Sequence, residues 1–403
     1  MEREQRSETV KCTDCGADLK FAPGTSNLTC EYCGAENEIA VADVSIEELD
    51  FHTHLHSLAD ASEQLAMHLV KCDNCGAAAT IDAHLQSAFC PYCSNALLIE
   101  NAQDELVIAP KSLLPFELKP NAAQNKFRQW INKLWFAPNA LHKAALHFDH
   151  FKGVYMPYWT YDANTFTRYT GERGKYYYTT ESYTTVENGK TVSKTRQVKH
   201  TSWSPASGSF SHWFDDVLIC ATKSLPENLV EALEPWDLEN LVPFNKEFLS
   251  GFITEKYQVD LEAGFSAARQ RMDPTIRSMA KSDIGGDEQR IHTIKTDHSG
   301  ITFKHILLPF YVSAYNFKNK LYRFLVNART GEVQGERPWS VIKITLAVLL
   351  CIAIIAGGAY FADQAHGARR RSVGRNEQSQ HIQKRQFEYN LFPVINRNFI
   401  VRW

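Results

Sequence analysis

The sequence lacks several features that would assign it directly to a large functional class. Its 403 residues carry a formal net charge of only −3, so the charge of the whole chain does not identify a class of partner. The first eight residues, Met-Glu-Arg-Glu-Gln-Arg-Ser-Glu, contain no apolar stretch. We therefore expect no secretory leader, and we expect the cysteines to lie in a reducing compartment.

A phosphate-binding loop is also missing. Gly189-Lys190-Thr191 resembles the end of such a loop, but Thr184 stands where the motif requires its first glycine. Asn188-Gly189 instead predicts a tight hairpin turn of type I′ between two strands. We expect no nucleotide-dependent activity.

A nucleophilic catalytic site is not predicted. Ser207, Ser209 and Ser211 lie close in sequence to His212 and Asp215, which supplies the residue types of a catalytic triad. No nucleophile elbow surrounds these serines, and adjacency in sequence is weak evidence for a triad. We therefore expect the protein not to be an enzyme.

Eight of the ten cysteines follow one spacing that occurs twice. Each time, two CxxC motifs are separated by fourteen residues, and the first of them reads Lys-Cys-x-x-Cys-Gly-Ala. Two such motifs on a short hairpin can hold one zinc ion tetrahedrally. The sequence therefore predicts two zinc ribbons with two structural zinc ions, bound by Cys12, Cys15, Cys30 and Cys33 and by Cys72, Cys75, Cys90 and Cys93.

A disulfide framework is the alternative interpretation of these cysteines, and the expected reducing compartment favours zinc. Four thiolates leave no open position for water or substrate, so the zinc would stabilise the fold without taking part in catalysis. The surroundings are acidic: residues 1–50 contain twelve acidic and four basic residues, and residues 71–105 contain five acidic residues and one lysine. Such a surface suits a protein partner better than nucleic acid.

The fold class predicted for the chain is α+β, with six segments along the sequence. They are a first zinc ribbon (1–42), a helical connector (43–70), a second zinc ribbon (71–105), a mixed α+β body (106–340), a transmembrane helix (341–362) and a basic tail (363–403).

The body contains an internal repeat. Phe151-Lys-Gly-Val-Tyr-Met-Pro-Tyr-Trp matches Phe303-Lys-His-Ile-Leu-Leu-Pro-Phe-Tyr, and Gly171-Glu-Arg is echoed by Gly335-Glu-Arg. The repeat predicts duplicated antiparallel β units, with a strand edge or a bulge at the shared proline of each copy. From Phe151 to Ala221, short strands are expected, with turns at Tyr169-Thr-Gly and at Asn188-Gly189. A helix is then predicted from Asp260, which is a good N-cap, towards Gly285-Gly286, with a break at Pro274.

A helix is predicted before the first copy of the repeat. Its apolar residues recur at helical spacing, which predicts a buried stripe formed by Phe127, Trp130, Ile131, Leu134 and Trp135.

The predicted hairpins from Arg168 to Lys199 are basic and rich in tyrosine. They contain three glutamates and seven basic residues, namely Arg168, Arg173, Lys175, Lys190, Lys194, Arg196 and Lys199. Such a surface fits anionic lipid headgroups or single-stranded nucleic acid. The alternative is a solvated hairpin whose tyrosines pack in cross-strand pairs.

A single membrane span is predicted near the end of the chain. Ile344 to Ala362 contains no charged residue, and nineteen helical residues cover about 28 Å, enough for the apolar core of a bilayer. Four arginines closely follow the span, whereas Arg337 and Lys343 precede it, so the count of positive charges alone would keep the tail in the cytoplasm. The cysteines and the expected absence of a signal peptide argue against that orientation. We expect a single-pass protein of the cytoplasmic membrane with its ribbons in the cytoplasm, because the thiolates need a reducing compartment.

Ordered motifs from residue 10 to residue 361 together resemble the bacterial transcription-factor-IIB-type zinc-ribbon membrane proteins, some of which are labelled primosomal replication factor Y or helicase-like. The motifs are the two KCxxCGA ribbons, Leu114-Pro-Phe, Trp135-Phe-Ala-Pro, Gly153-Val-Tyr-Met-Pro-Tyr-Trp, Phe214-Asp-Asp-Val-Leu, Ala232-Leu-Glu-Pro-Trp-Asp-Leu, Tyr257-Gln-Val-Asp-Leu, Asp283-Ile-Gly-Gly-Asp, Phe303-Lys-His-Ile-Leu-Leu-Pro and Val333-Gln-Gly-Glu-Arg-Pro.

The resemblance implies that the eight cysteines bind zinc and that the partner is a phage-shock-protein-A-like membrane-remodelling protein. The helicase label is not carried over, because the phosphate-binding loop is missing, and the tail after Phe361 lies outside the resemblance. The hypothesis from sequence is a non-enzymatic, membrane-tethered adaptor that recruits a protein partner. The alternative is a membrane-associated nucleic-acid-binding protein, and no small-molecule substrate is expected.

Overall fold

A computed structural model of the chain describes residues 10–41, 46–57, 64–80, 88–97, 102–141, 151–187, 189–317 and 320–362. The chain separates into two compact units, one formed by residues 1–134 and 139–337 and the other by residues 135–138 and 338–403. The predicted basic tail (363–403) lies outside the described residues. The finer division into six segments stays a prediction.

The larger unit is α+β, as predicted. Its first strands are β1 (Leu19–Phe21), β2 (Asn27–Cys30), β3 (Glu36–Glu38), β4 (Leu49–Asp50), β5 (Gln64–Lys71), β6 (Ala78–Thr80), β7 (Ala88–Phe89), β8 (Ala96–Leu97) and β9 (Gln103–Ile108). The later strands are β10 (Ser112–Leu113), β11 (Lys152–Glu187), β12 (Lys190–Cys220), β13 (Val242–Pro243), β14 (Ile253–Thr254), β15 (Glu288–Phe317), β16 (Lys320–Asn327) and β17 (Val333–Gly335). Its helices are α1 (Phe51–Ser57), α2 (Pro120–Lys133), α3 (Glu227–Glu231) and α4 (Leu261–Ile284), with short 3-10 helices at Leu238–Asn240 and Lys246–Leu249.

The centre of this unit is the antiparallel pair formed by the long strands β11 and β15. Their ladder runs from Lys152 opposite Val312 to Gly174 opposite Glu288. Strand β12 pairs with β11 on its other side, and β16 pairs with the end of β15. The predicted turn at Tyr169-Thr-Gly is wrong, because these residues lie inside β11, where a register shift falls between Thr170 and Gly171.

The duplication is confirmed, and each copy has the order strand, helix, long strand, return strand. The first copy is β10, α2, β11 and β12, and the second is β14, α4, β15 and β16. The short strands are exchanged between copies: β10 runs parallel to β15, and β14 runs parallel to β11 at the equivalent position. Met156 of one copy lies directly opposite Leu308 of the other, so the repeated motifs pair with each other.

The shared prolines are neither at an outer edge nor at a bulge, contrary to the prediction. Pro157 and Pro309 lie inside the central ladder, and their carbonyls accept hydrogen bonds from the N–H groups of Ala221 and Ala328. Each alanine directly follows the end of the return strand, β12 or β16. The neighbouring strand therefore ends on the side of each proline towards which a backbone N–H would point. Because no strand needs a hydrogen bond from that position, the proline removes none from the ladder. Gly171 and Gly335 do not occupy equivalent positions in the two copies, because Gly171 lies inside the long strand β11 whereas Gly335 ends the short strand β17.

Both faces of the central sheet are covered, which explains why residues 154–163 of β11 are all buried. One face packs against the second cysteine quartet and α3 through Val154, Met156 and Tyr158. The other face packs against α4 through Trp159 and Tyr161. Trp159 Nε1 and Tyr161 Oη also donate hydrogen bonds to the carbonyls of Val259 and Leu261, at 2.9 and 2.7 Å.

The predicted helical connector is wrong over its second half. Within the described part of the connector, Phe51–Ser57 is helical, whereas Gln64–Lys71 is strand β5, which pairs with β6 and β9. Met67 and Leu69 are buried, whereas Ala66 and His68 are exposed. This alternation is typical of a strand with one buried face. Leu65 and Leu69 are four positions apart, a spacing that also fits a helix and led to the wrong prediction.

The buried stripe of α2 is confirmed only in part. Phe127 and Ile131 are buried, and Phe127 stacks on Phe324 of β16 with 3.8 Å between ring centroids. Helix α2 ends at Lys133, so Trp135 lies beyond the helix, and 79% of its surface is exposed.

The smaller unit contains helix α5 (Val341–Ala362), which is long and apolar enough to cross a membrane. Its 22 residues correspond to about 33 Å of helix. The N–H of Ile344 bonds to the carbonyl of Ser340, so the helix begins directly after this serine. The predicted span is confirmed in length and composition.

Gly264 provides a test of the contact between α4 and β11. A Cβ atom at this position would lie 2.3 Å from Tyr161 Oη and 2.9 Å from Trp159 Cδ1. Alanine is favoured over glycine in a helix by about 1 kcal/mol, but overpacking costs about 1–3 kcal/mol. We expect Gly264→Ala to lower the free energy of unfolding, measured by urea denaturation of the full chain in detergent. The control is Ala263→Gly, at an exposed neighbouring position, which measures the effect of helix propensity without the close contact. If the Gly264→Ala protein were more stable than wild type, the close contact would be contradicted.

Candidate metal centres

The two cysteine quartets predicted from the sequence come together in space. In each quartet the four Sγ atoms all lie within 4.8 Å of one another. The Sγ atoms of Cys12 and Cys33 are 3.6 Å apart, and those of Cys15 and Cys30, of Cys72 and Cys93, and of Cys75 and Cys90 are each 3.5 Å apart. Sulfur atoms bound tetrahedrally at 2.3 Å from zinc would be separated by about 3.8 Å. The donor set and its spacing therefore fit one zinc-like ion per quartet.

All four CxxC knuckles have the same backbone geometry. In each, the N–H of the first cysteine bonds to a carbonyl five residues later, and its own carbonyl accepts an N–H from four residues later, with N···O distances of 2.7–3.0 Å. The residue after the second cysteine has a positive φ, which glycine adopts without strain. Gly16, Gly34 and Gly76 fill this position, and Ser94 fills it in the fourth knuckle with φ of 58°.

Backbone and side-chain donors prepare some of these thiols for metal binding. The N–H groups of Cys33 and Tyr32 lower the pKa of the Cys30 thiol to about 6. Burial works against ionisation of Cys93, but hydrogen bonds from the Asn74 side chain and the Asn95 backbone lower its pKa to about 7. Other thiols of the same quartets have a raised pKa: against the opposing effect of the Ala35 N–H, neighbouring cysteines raise that of Cys33 to about 12, and burial raises that of Cys75 to about 11. Because the metal ligand is the thiolate, a bound ion would have to displace protons from these thiols.

The two ribbons differ in how they meet the body. In the first ribbon Cys15 and Cys33 are exposed, and the ribbon is attached at its opposite end, where Phe21 packs on Phe248 with 5.1 Å between ring centroids. In the second ribbon Cys72, Cys90 and Cys93 are buried in the same apolar core as Met156 and Leu308. The second ribbon is thus part of the body, and the first carries its metal-binding end in solvent.

One tyrosine in each ribbon shows this difference directly. Tyr32 and Tyr92 occupy the same position in equivalent knuckles, between the two cysteines of each. Tyr32 is 86% exposed, whereas Tyr92 is fully buried and donates a 2.5 Å hydrogen bond to Glu255. Sequence analysis missed this anchor, although the repeated tyrosine was a visible signal.

Glu255 is a fully buried carboxylate without a cation among its described hydrogen-bond partners. Its oxygens accept hydrogen bonds from Tyr92, Thr222 and Ser224. Burial raises the pKa of Glu255 to about 7, against the opposing effect of these three hydroxyl donors. The carboxyl group links the second ribbon to the segment that follows β14.

Most of the predicted basic segment forms a single two-stranded arm, whereas Arg168 and Arg173 lie where β11 also pairs with β15. Residues 175–187 of β11 pair with residues 190–202 of β12, and within the described residues no third strand joins them. Gly189 has φ of 74° in the two-residue turn, while Asn188 lies outside the described residues. We call this two-stranded segment the hairpin arm.

The two faces of the hairpin arm have different chemistry. Since directly opposite residues share a face, Lys175, Lys190, Lys194 and Arg196 lie on one face together with Glu181 and Glu187. The opposite face is lined mainly by hydroxyls, those of Thr180, Ser182, Thr184, Thr191, Ser193 and Thr195. Arg196 pairs with Glu181 at 3.2 Å and Lys194 pairs with Glu187. Tyr177 stacks on His200 across the strands at 5.2 Å, so much of the basic and aromatic surface is already engaged in cross-strand contacts.

The chain is similar to a protein described as "Uncharacterized protein YdjG" from Bacillus subtilis (strain 168). The two are 24% identical over 360 residues, which cover 88% of this chain and 96% of the relative. No family model matches the chain, and no solved structure matches it.

Equivalent cysteines test the different roles of the two ribbons. We expect Cys93→Ser to loosen the central sheet and to lower its stability by at least about 3 kcal/mol, because structural metal sites contribute directly to folding. Cys33→Ser should affect the first ribbon alone. Hydrogen exchange of peptides from β11, followed by mass spectrometry, measures both effects. Equal protection of β11 in the two variants would contradict the integration of the second ribbon into the core.

Glu255 predicts a specific pH dependence of stability. Its pKa is raised in the folded protein from the ordinary 4.5 to about 7, so between these values the unfolded chain releases a proton that the folded chain retains. The stability contributed by Glu255 is therefore fully present below about pH 4.5 and is lost as the pH rises through 7. Across this range the free energy of unfolding should fall by about 3 kcal/mol.

In Glu255→Gln this part of the pH dependence should disappear. Urea denaturation of both proteins from pH 5 to pH 8 measures it, and Glu262→Gln, at an exposed position of α4, is the matched control. Identical slopes for Glu255→Gln and wild type would show that the carboxyl group does not titrate in this range.

Proposed function

We propose that this chain is a non-enzymatic adaptor of the cytoplasmic membrane, held there by α5, that recruits a protein partner to the cytoplasmic face. Two structural zinc ions maintain its ribbons. The observation that carries the proposal is the contrast between the ribbons: the second is built into the core, and the first offers the equivalent knuckle to solvent.

The quartets support a structural role for the metal. Each offers four sulfur ligands within 4.8 Å of one another, and a tetrahedral zinc ion with four thiolates has no open position for a substrate. When bound, zinc would supply folding energy. Among the described residues, no other group of three or more metal-ligating side chains comes together.

The partner-binding surface proposed is the exposed end of the first ribbon. Tyr32 extends into solvent, with the exposed carboxylates of Asp14, Glu31 and Glu36 on the same ribbon. In the second ribbon the equivalent Tyr92 fits into the body and donates to a buried carboxylate. An exposed aromatic side chain with a polar tip is a common anchor of protein interfaces. Tyr32 would therefore enter a partner much as Tyr92 enters the body, with basic residues of the partner around it.

The partner class proposed is a phage-shock-protein-A-like membrane-remodelling protein, which is what the family resemblance implies. The proposal assigns membrane attachment to α5, none of whose residues is buried. It also places the ribbons in the cytoplasm, where thiols remain reduced.

Binding of nucleic acid is the second candidate function, and the basic face of the hairpin arm is the observation that favours it. If the arm binds single-stranded DNA, a gel-shift titration would show affinity that falls steeply with salt and is lost when Lys190, Lys194 and Arg196 are replaced by glutamine. The adaptor proposal expects no such salt-dependent shift.

The adaptor proposal is tested by crosslinking in membranes, affinity capture and mass spectrometry. We expect the wild-type chain to retain one specific partner in the membrane fraction and Tyr32→Ala to lose it by at least tenfold. Tyr178→Ala, which removes another exposed tyrosine, should retain the partner. A chain ending at residue 340 should leave the partner in the soluble fraction.

The proposal fails in two ways that these variants separate. If Tyr32→Ala captures the same partner as wild type, the first ribbon is not the docking surface. If the chain ending at residue 340 keeps the partner at the membrane, α5 is not the tether.

A further inference from the structure

The segment from Trp135 to Pro138 belongs with the apolar helix, although more than 200 positions separate them in sequence. It follows directly after the end of α2. Trp135 is 79% exposed and Phe136 is 36% exposed, so neither ring is covered by the protein to the extent expected for large apolar side chains. Two adjacent exposed aromatic residues on a short loop need an explanation that core packing does not provide.

Hydrogen bonds fix this segment to the beginning of α5. The N–H of Ser340 donates to the carbonyl of Phe136 at 2.8 Å. The ammonium group of Lys343 donates to the carbonyls of Trp135 and Ala137, at 3.1 and 2.8 Å. Three successive carbonyls of the segment are thereby satisfied by one turn of the helix. An exposed peptide carbonyl is costly to bring towards a bilayer, and these bonds reduce that cost.

The rings extend the same arrangement. Phe136 contacts Trp339 with 6.5 Å between ring centroids, and Trp339 is itself 55% exposed. Trp135, Phe136 and Trp339 thus form an aromatic group at the starting end of α5. Tryptophan is enriched where membrane spans meet the headgroup layer, because its ring is amphipathic.

With α5 spanning a bilayer, as the proposed tether requires, the length of the helix would put this group at the membrane surface. The helix covers about 33 Å, against about 30 Å for the hydrocarbon core of a bilayer. Lys343 lies in its first turn, where a lysine ammonium can remain at headgroup level. The segment bonded to Lys343 and Ser340 must then lie at the same level.

We infer that residues 135–138 are a second membrane-contacting element, whose ligand is the phospholipid interface around the start of α5. The inference rests on the proposed tether, because it requires α5 to cross the bilayer. The loop would insert Trp135 and Phe136 among the acyl-chain ends nearest the headgroups, and the body would be joined to the membrane by more than one connection.

The full chain, labelled with 5-fluorotryptophan and reconstituted in phosphatidylcholine nanodiscs, allows a direct test. Trp135→Phe and Trp339→Phe identify the two signals in the fluorine NMR spectrum. Broadening is then compared between a lipid carrying a nitroxide near its carbonyl and a water-soluble gadolinium chelate. Trp159, which is fully buried, should respond to neither.

We expect the lipid nitroxide to broaden the Trp135 signal at least twofold more than the Trp159 signal, and to a degree similar to Trp339. If Trp135 is broadened by the gadolinium chelate alone while Trp339 responds to the lipid, the loop is in water and the inference is wrong, although the tether stands. If neither agent affects Trp135, a protein surface covers it, which also overturns the inference. If Trp339 too responds only to the chelate, the membrane tether itself fails.

Discussion

The antiparallel pairing of β11 with β15 is the constraint on which the larger unit depends. The residues of the repeated motif lie opposite each other in this ladder, with Met156 facing Leu308. The sheet is therefore buried on both faces at its centre, and each face needs a cover. The second ribbon and α3 cover one face, and α4 covers the other. Loss of either cover would expose a continuous apolar surface that water cannot solvate favourably.

This arrangement gives the two ribbons different physical roles, although their cysteine spacing is identical. The cysteines of the second ribbon lie in the apolar core, so a metal ion held there would be coupled to the stability of the sheet. Those of the first ribbon lie at an exposed end, beyond the Phe21 contact that holds the ribbon to the body. A single sequence motif thus serves as part of a core in one place and as an accessible surface in another, and the surrounding residues make the difference.

The sequence predicted the features that depend on local spacing or on repetition. This class includes the quartets, the duplicated unit, the apolar length of α5 and the Asp260 cap of α4. The Asp260 carboxylate accepts a hydrogen bond from the N–H of Ala263 at 2.7 Å. The misses have a common cause, which is that tertiary contacts override a local signal. Gln64–Lys71 has leucines at helical spacing but becomes a strand because β9 and β6 pair with it.

Two further misses show the same limit. Pro274 predicts a break, yet α4 continues through it to Ile284, since packing on the sheet holds both halves of the helix. Trp135 fits the helical stripe of α2, but the helix ends two residues earlier and the ring lies outside. The anchor from Tyr92 to Glu255 joins positions 163 residues apart, a distance over which no local pattern carries information.

The exchange of the short strands β10 and β14 has a consequence for how this fold can be divided. Each copy of the unit supplies the strand that flanks the long strand of the other, so neither copy can complete its sheet alone. A chain with only one copy would expose a long unpaired edge on β11. A second molecule of the same kind, related by a two-fold axis, could satisfy that edge and receive the exchanged strand in return. The duplicated body therefore has the topology of an intertwined homodimer joined into one chain.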